Sequence, residues 1–140
     1  MSRRGASGHH RRRAARRIAI DILYQADVIG AHPADVLEQW RVAGKSVTEY
    51  AGALVLGVQG DLEAIDGLLA AGSEGWAVHR MAIVDRTILR VASYEMHSGI
   101  PAAVAINEAV LAANELSTED SGRFINGVLG KIAREMGAAP

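Results

Sequence analysis

The sequence predicts an all-α protein. Three observations carry that prediction. Apolar residues recur at the three- and four-residue spacing of a helix face in every long segment. Glycine or proline punctuates the chain between those segments. No stretch alternates apolar and polar residues as a half-buried strand does. Asn126-Gly127 is a hairpin dipeptide, but its flanks carry helical period. Residues 11–140 are expected to form one helical domain of about six to seven helices, preceded by a disordered basic tail over residues 1–10.

The first helix is expected over residues 12–29, stopping at Gly30. On a wheel of about 100° per residue, Ala15, Ile18, Ile22, Ala26 and Ile29 gather on one side. Arg12, Arg13, Arg16 and Arg17 gather opposite them, and Tyr24 continues that outward side. Arg11 falls on the apolar side, which places it at or before the helix start. The tail contains His9 and His10, whose adjacency prevents both rings from sharing one helix face, so tail is favoured over metal.

A second helix fits residues 33–42, with Pro33 in its first turn, Val36, Leu37 and Trp40 facing the core, and Gly44 ending it. Ser46 to Glu49 reads as a capping box for a long helix to about residue 70, carrying Tyr50, Leu54, Val58, Leu62, Ile65 and Leu69. Gly52, Gly57, Gly60 and Gly67 lie inside it and each costs about 1 kcal/mol relative to Ala, which points to close helix approach or to a break near Gly60. A turn near Gly72 and Gly75 leads to Trp76 and then to a helix over 83–97 with Val84, Ile88, Val91 and Ala92 as its core stripe. Asp85 and Glu95 fall within or beside that stripe, where a carboxylate is costly unless paired, with Arg86 and Arg90 as candidate partners.

Gly99 and Pro101 break the chain before a helix over 104–116, with Val104, Ala105, Val110 and Ala113 toward the core. The last helix is expected over 121–136, presenting Ile125, Val128, Leu129, Ile132 and Met136 on one face. Phe124 sits at the rim of that apolar arc, between Val128 and Lys131. Asp120 and Ser121 stand where an N-cap is needed.

A chain of 140 residues buries roughly two thirds of its unfolded surface, enough to fold without metal or disulfide. It has no Cys, which excludes thiol and Cys-zinc chemistry and permits a cytoplasmic setting. No apolar run approaches the roughly 20 residues of a membrane span. The Arg-rich start imitates a mitochondrial transit peptide, but it runs directly into a core helix. No phosphate loop, dinucleotide fingerprint, zinc-protease helix or nucleophile elbow is present, so the expected protein is not an enzyme and carries no cofactor. Charge is strongly divided. Residues 1–17 hold seven Arg and no acid, whereas the rest of the chain holds twice as many acids as bases. That split suits a basic arm on a polyanion, or else a solubilising tail.

Two segments carry a resemblance: VDRTILRVASYEM at 84–96 and IPAAVAINEAVLAANELSTEDSGRFINGVLGKIA at 100–133. Together with RRRAARRIAIDILYQAD at 11–27 they resemble the NusB family of bacterial transcription antitermination factors. Residues 28–76 match it in helix pattern alone.

The resemblance implies two small antiparallel helical bundles and a protein that binds boxA-type RNA. Its implied protein partner is NusE, a small-subunit ribosomal protein, within the antitermination complex with RNA polymerase on ribosomal-RNA transcripts. It implies an RNA surface built from the first helix and the start of the last. Here that means Arg12, Arg13, Arg16 and Arg17 with Asp120, Ser121, Arg123, Phe124 and Lys131. Neutralising about four to six phosphates of single-stranded RNA would give a log–log salt slope of about −3 to −4.

Asn107 and Glu108 are expected to fix a helix start. Tyr24, Asp85, Arg86 and Glu95 are the expected partner-binding set, since an acidic body suits a basic ribosomal protein. Two alternatives stay open. One is a protein-only adaptor or homodimer. The other is an accessory domain related to ribosomal-RNA methyltransferases, which the lack of a second domain disfavours.

Overall fold

The computed structural model describes residues 2–74 and 76–137, with side chains described from residue 11 onward. Among these residues there are seven α-helices, one short 3-10 turn and no strand: α1 (Ser2–Ile29), α2 (Pro33–Val42), α3 (Glu49–Gly60), α4 (Leu62–Gly72), a 3-10 turn (Val78–Arg80), α5 (Ile83–His97), α6 (Ala102–Leu116) and α7 (Glu119–Glu135). No described helix is long and apolar enough to cross a membrane. The chain falls into two compact units, residues 1–59 and 60–140.

In the first unit, α1 packs against α2. Its helix begins at Ser2, well before the expected start at Arg12. The tail expected over residues 1–10, with its His pair, lies outside the residues whose side chains are described. The buried face of α1 is Ala15, Ala19, Ile20, Ile22, Leu23 and Ala26. This face is rotated from the expected one. Ile29 is exposed and Ile18 only half-buried, while Ile20 and Leu23 turn inward. Gly30 stops the helix in the left-handed region, at φ 71°, which glycine enters without Cβ strain.

The expected capping box at Ser46 is displaced by two residues. α3 starts at Glu49, and the Thr48 hydroxyl accepts the Ala51 N–H at 3.3 Å. The long middle helix breaks at Gly60, so α3 and α4 are separate and belong to different units. Close helix approach does not account for these glycines: a Cβ at Gly52 would stand 2.7 Å from Arg41 Nη2, the movable end of a long side chain, and Gly60 and Gly67 face open space.

The second unit is a four-helix assembly in which α6 packs on α7 and α5, and α4 packs on α5 and α7. Its core is Ile65, Leu69, Ile88, Leu89, Ala105, Ala113, Ile125, Leu129 and Ile132. Five Ala residues on α6 (Ala102, Ala105, Ala109, Ala112, Ala113) are buried, so larger side chains from α5 and α7 can come close. Gly72 ends α4 directly against α7: a Cβ there would stand 2.8 Å from Ile132 Cγ1 and 3.2 Å from the Val128 carbonyl oxygen.

Val84, Val104 and Val110, expected in the core, are half-buried, and Met136 is exposed just beyond α7. α6 starts two residues early, immediately after Pro101, which leaves Asn107 and Glu108 within the helix rather than at its start. Glu108 is buried there and Asn107 exposed.

Candidate nucleic-acid interface

Each unit carries one set of the anticipated residues. In the first unit, Arg11 and Arg12 are exposed, whereas Arg13 and Arg17 are half-buried. Arg16 departs from the expected stripe: it is 5% exposed. It stands at i, i+4 and i+7 with Ile20 and Leu23, and both of those are buried. The arginine is therefore carried inward by the rotated face of α1. The guanidinium of Arg12 lies over the ring of Tyr50 on α3, 5.3 Å from its centroid. A guanidinium on a ring face is attracted by the ring quadrupole yet keeps its full charge. Arg11, Arg12, Thr48 and Tyr50 line an open groove of about 590 Å³ beside this contact.

In the second unit, the start of α7 is organised by hydroxyl groups. Thr118, rather than Asp120 or Ser121, is the N-cap: its side chain accepts the Ser121 N–H at 3.1 Å. Ser121 instead reaches inward. Its hydroxyl donates to Asp85 Oδ2 at 3.2 Å and lies 2.9 Å from the Ser117 hydroxyl. The Ser121 hydroxyl thus ties α7 to α5 through one carboxylate, while Thr118 holds the helix entry. Burial pushes the Asp85 carboxyl above the usual aspartate range, and the Ser121 bond opposes that shift. Asp85 Oδ1 is buried without a hydrogen-bond partner.

Asp120 and Arg123 are both exposed and form an ion pair one turn apart, with Glu119 3.8 Å from the same guanidinium. Phe124 is half-buried. Its ring meets Trp76 edge to face, with centroids 6.0 Å apart and an interplanar angle of 67°. Lys131 lies seven residues further on the same face of α7 and is held by Glu74. That bond and the lysine charge hold the exposed Glu74 carboxyl below its usual range. Sequence reasoning passed over Trp76 and Glu74. The available signal was a lone Trp in a turn, where no packing period explains it.

The anticipated partner set divides. Tyr24 is 44% exposed, beside exposed Val28 one turn later. Asp85, Arg86 and Glu95 are buried, at 9%, 9% and 1% exposure, so they are not presented on a surface. Arg86 donates to the carbonyls of His79 and Val78 at 3.2 and 3.4 Å, which fastens the 3-10 turn to α5. Arg90 grips Asp66 on α4 through two bonds of 2.9 and 2.8 Å. Among the described residues no group of three His, Cys, Asp or Glu is placed to hold a metal.

The model of the NusB family matches residues 13–134. The transcription antitermination protein NusB of Salinispora tropica is 44% identical over 128 residues, covering 87% of this chain and 94% of that protein. The protein of the same name from Rubrobacter xylanophilus is 46% identical over 120 residues, covering 84% and 86%. Among solved structures, NusB of T. maritima superposes with a TM-score of 0.79 at 34% identity, covering 92% and 93% of the two chains. A structure of antitermination factors NusB and NusE in complex with dsRNA gives a TM-score of 0.77 at 25% identity, covering 89% and 96%. With a family model spanning most of its length and relatives matched nearly end to end, the chain belongs to the NusB family, whose relatives named here are transcription antitermination proteins and not enzymes.

Proposed function

We propose that this chain is an RNA-binding antitermination factor. In this reading it holds boxA-type single-stranded RNA together with NusE, within the complex that RNA polymerase carries through ribosomal-RNA genes in the cytoplasm. The observation that carries the reading is on α7. Phe124 is half-buried on the face that also bears Lys131, with exposed Arg123 next to it in the same turn, about 100° round the helix. Aromatics beside cations are the usual means of reading unstacked bases. The solved complex of a relative with NusE and RNA supports the same class of partners.

In this proposal α1 supplies charge through Arg12, with Arg13 and Arg17 beside it, and α7 supplies base contact through Phe124 with Arg123 and Lys131. Ser121 positions α7 through Asp85, and Asp120 restrains Arg123. Arg16 supports α1 from within rather than meeting phosphate. Fewer accessible cations lower the expected salt slope to about −2 to −3, corresponding to about three to four phosphates. Tyr24, extended by Val28, meets the protein partner, while Asp85, Arg86 and Glu95 act as supports inside the fold.

The test is electrophoretic mobility of a boxA-type RNA with the chain alone and with NusE, at two salt concentrations. Binding that strengthens with NusE and weakens with salt at that slope supports the reading. Salt-independent binding, or none in either mixture, refutes it. The exposed apolar strip of Tyr24, Val28 and Ile29 also suits a second copy of the chain, and mass in solution with and without NusE separates the two occupants.

A further inference from the structure

Trp76 is 61% exposed. An indole left in water forgoes the burial that makes Trp valuable in a core. It is nevertheless held in place. The Trp76 N–H donates to the Ser73 carbonyl at 3.1 Å, and the Ser73 hydroxyl donates back to the Trp76 carbonyl at 2.9 Å. Ser73 itself is buried at the end of α4. A closed turn therefore fixes the backbone, the Phe124 ring supports one side of the indole, and the rest stays open.

The same turn carries Glu74, which covers Lys131. An exposed ion pair of this kind contributes little and exchanges readily for another anion. One edge of the second unit thus holds two aromatic rings and a lysine whose carboxylate partner a phosphate can displace.

The angle between the rings is informative. At 67° their faces are not parallel. Two bases stacked on each other, as in a duplex, cannot lie flat on both rings. Two adjacent bases splayed apart can, and single-stranded RNA permits this.

We infer that Trp76 is a second base-stacking residue, which with Phe124 holds two adjacent, splayed bases of single-stranded RNA while the intervening phosphate takes Lys131 from Glu74. This rests on the RNA-binding reading above and extends it to a residue and a substrate form.

The experiment uses the full chain with Trp40→Phe, which leaves Trp76 as the sole tryptophan. It is titrated with a boxA-type oligonucleotide, single-stranded or annealed to its complement. The single strand is expected to quench Trp76 emission to saturation, and the duplex to do so weakly. Trp76→Ala in the otherwise native chain is expected to weaken single-strand binding about tenfold, within the range of one lost base stack, with Trp76→Phe restoring most of it.

Trp76→Ala binding within twofold of the native chain, while Phe124→Ala loses tenfold, overturns the inference and leaves the RNA reading standing. Unchanged binding in both variants overturns both. Equal quenching by the duplex overturns the splayed-base geometry.

Discussion

Arg12 in the first unit and three cations of the second are held in opposite ways. In the first, Arg12 rests on the face of Tyr50, a neutral support that leaves its charge uncancelled. In the second, Lys131, Arg123 and Arg90 each meet a carboxylate: Glu74, Asp120 and Asp66. A polyanion gains the full charge of the first kind of cation, but must displace an acid to use the second kind. The second unit in turn offers aromatic rings on a tightly organised helix entry. In the proposed function this difference gives long-range attraction to the first unit and base discrimination to the second.

The largest expected effect breaks the second unit's platform. Leu129 is fully buried on α7, and Leu129→Ala is expected to cost about 2–5 kcal/mol in a urea melt. RNA held by the residual protein should then lose sequence preference before it loses salt dependence. Next, Gly72→Ala places a Cβ against Ile132 and the Val128 carbonyl. The overpacking should cost about 1–3 kcal/mol, read as a lower denaturation midpoint at unchanged m-value.

Asp120→Asn sharpens the contrast by removing the nearer of the two carboxylates beside Arg123. It leaves the Thr118 cap intact and loosens Arg123, which keeps only Glu119 at 3.8 Å. RNA affinity should stay equal or tighten severalfold, with a salt slope steeper by about 0.7. A tenfold loss would show that Asp120 itself accepts a bond from RNA.

The smallest effect concerns Asp85. Its carboxyl is raised above the usual range by burial, so the folded state binds its proton more tightly than the unfolded state does. Stability from this group is therefore greatest in acid, and it falls as pH rises from the unfolded aspartate value through the raised one. Asp85→Asn keeps an acceptor for Ser121 and should flatten that part of the stability–pH profile, measured by melts across the acid range.

Local features of the fold were legible in the sequence, and features decided by competition were not. The stops at Gly30, Gly44 and Gly99 all adopt positive φ, and the α7 stripe of Ile125, Val128, Leu129 and Ile132 is buried as expected. Each follows from spacing or from one residue's backbone freedom. Arg16 was misplaced because a wheel gives directions but not which arc its neighbours will cover; Ile20 and Leu23 drew the arc toward it.

The α7 cap was misplaced for a similar reason. Residues 117–121 offer four side chains able to cap, and a distant group, Asp85, draws Ser121 away from that role. For the candidate site, Phe124 and Lys131 share a helix face in the structure as in the sequence. Their neighbours Trp76 and Glu74 come from a turn roughly fifty residues away along the chain, which no local pattern reveals.

The division of labour between the units is tested most directly by titrating one boxA-type RNA across salt concentrations with the native chain, Arg12→Ala and Phe124→Ala. Phe124→Ala should give a line parallel to the native one but weaker by about five- to a hundredfold, the value of one stacked base. Arg12→Ala should give a slope shallower by about 0.7, with the lines converging at high salt. Arg12→Ala that shifts affinity without changing slope, or Phe124→Ala that changes slope without shifting affinity at high salt, would contradict that division.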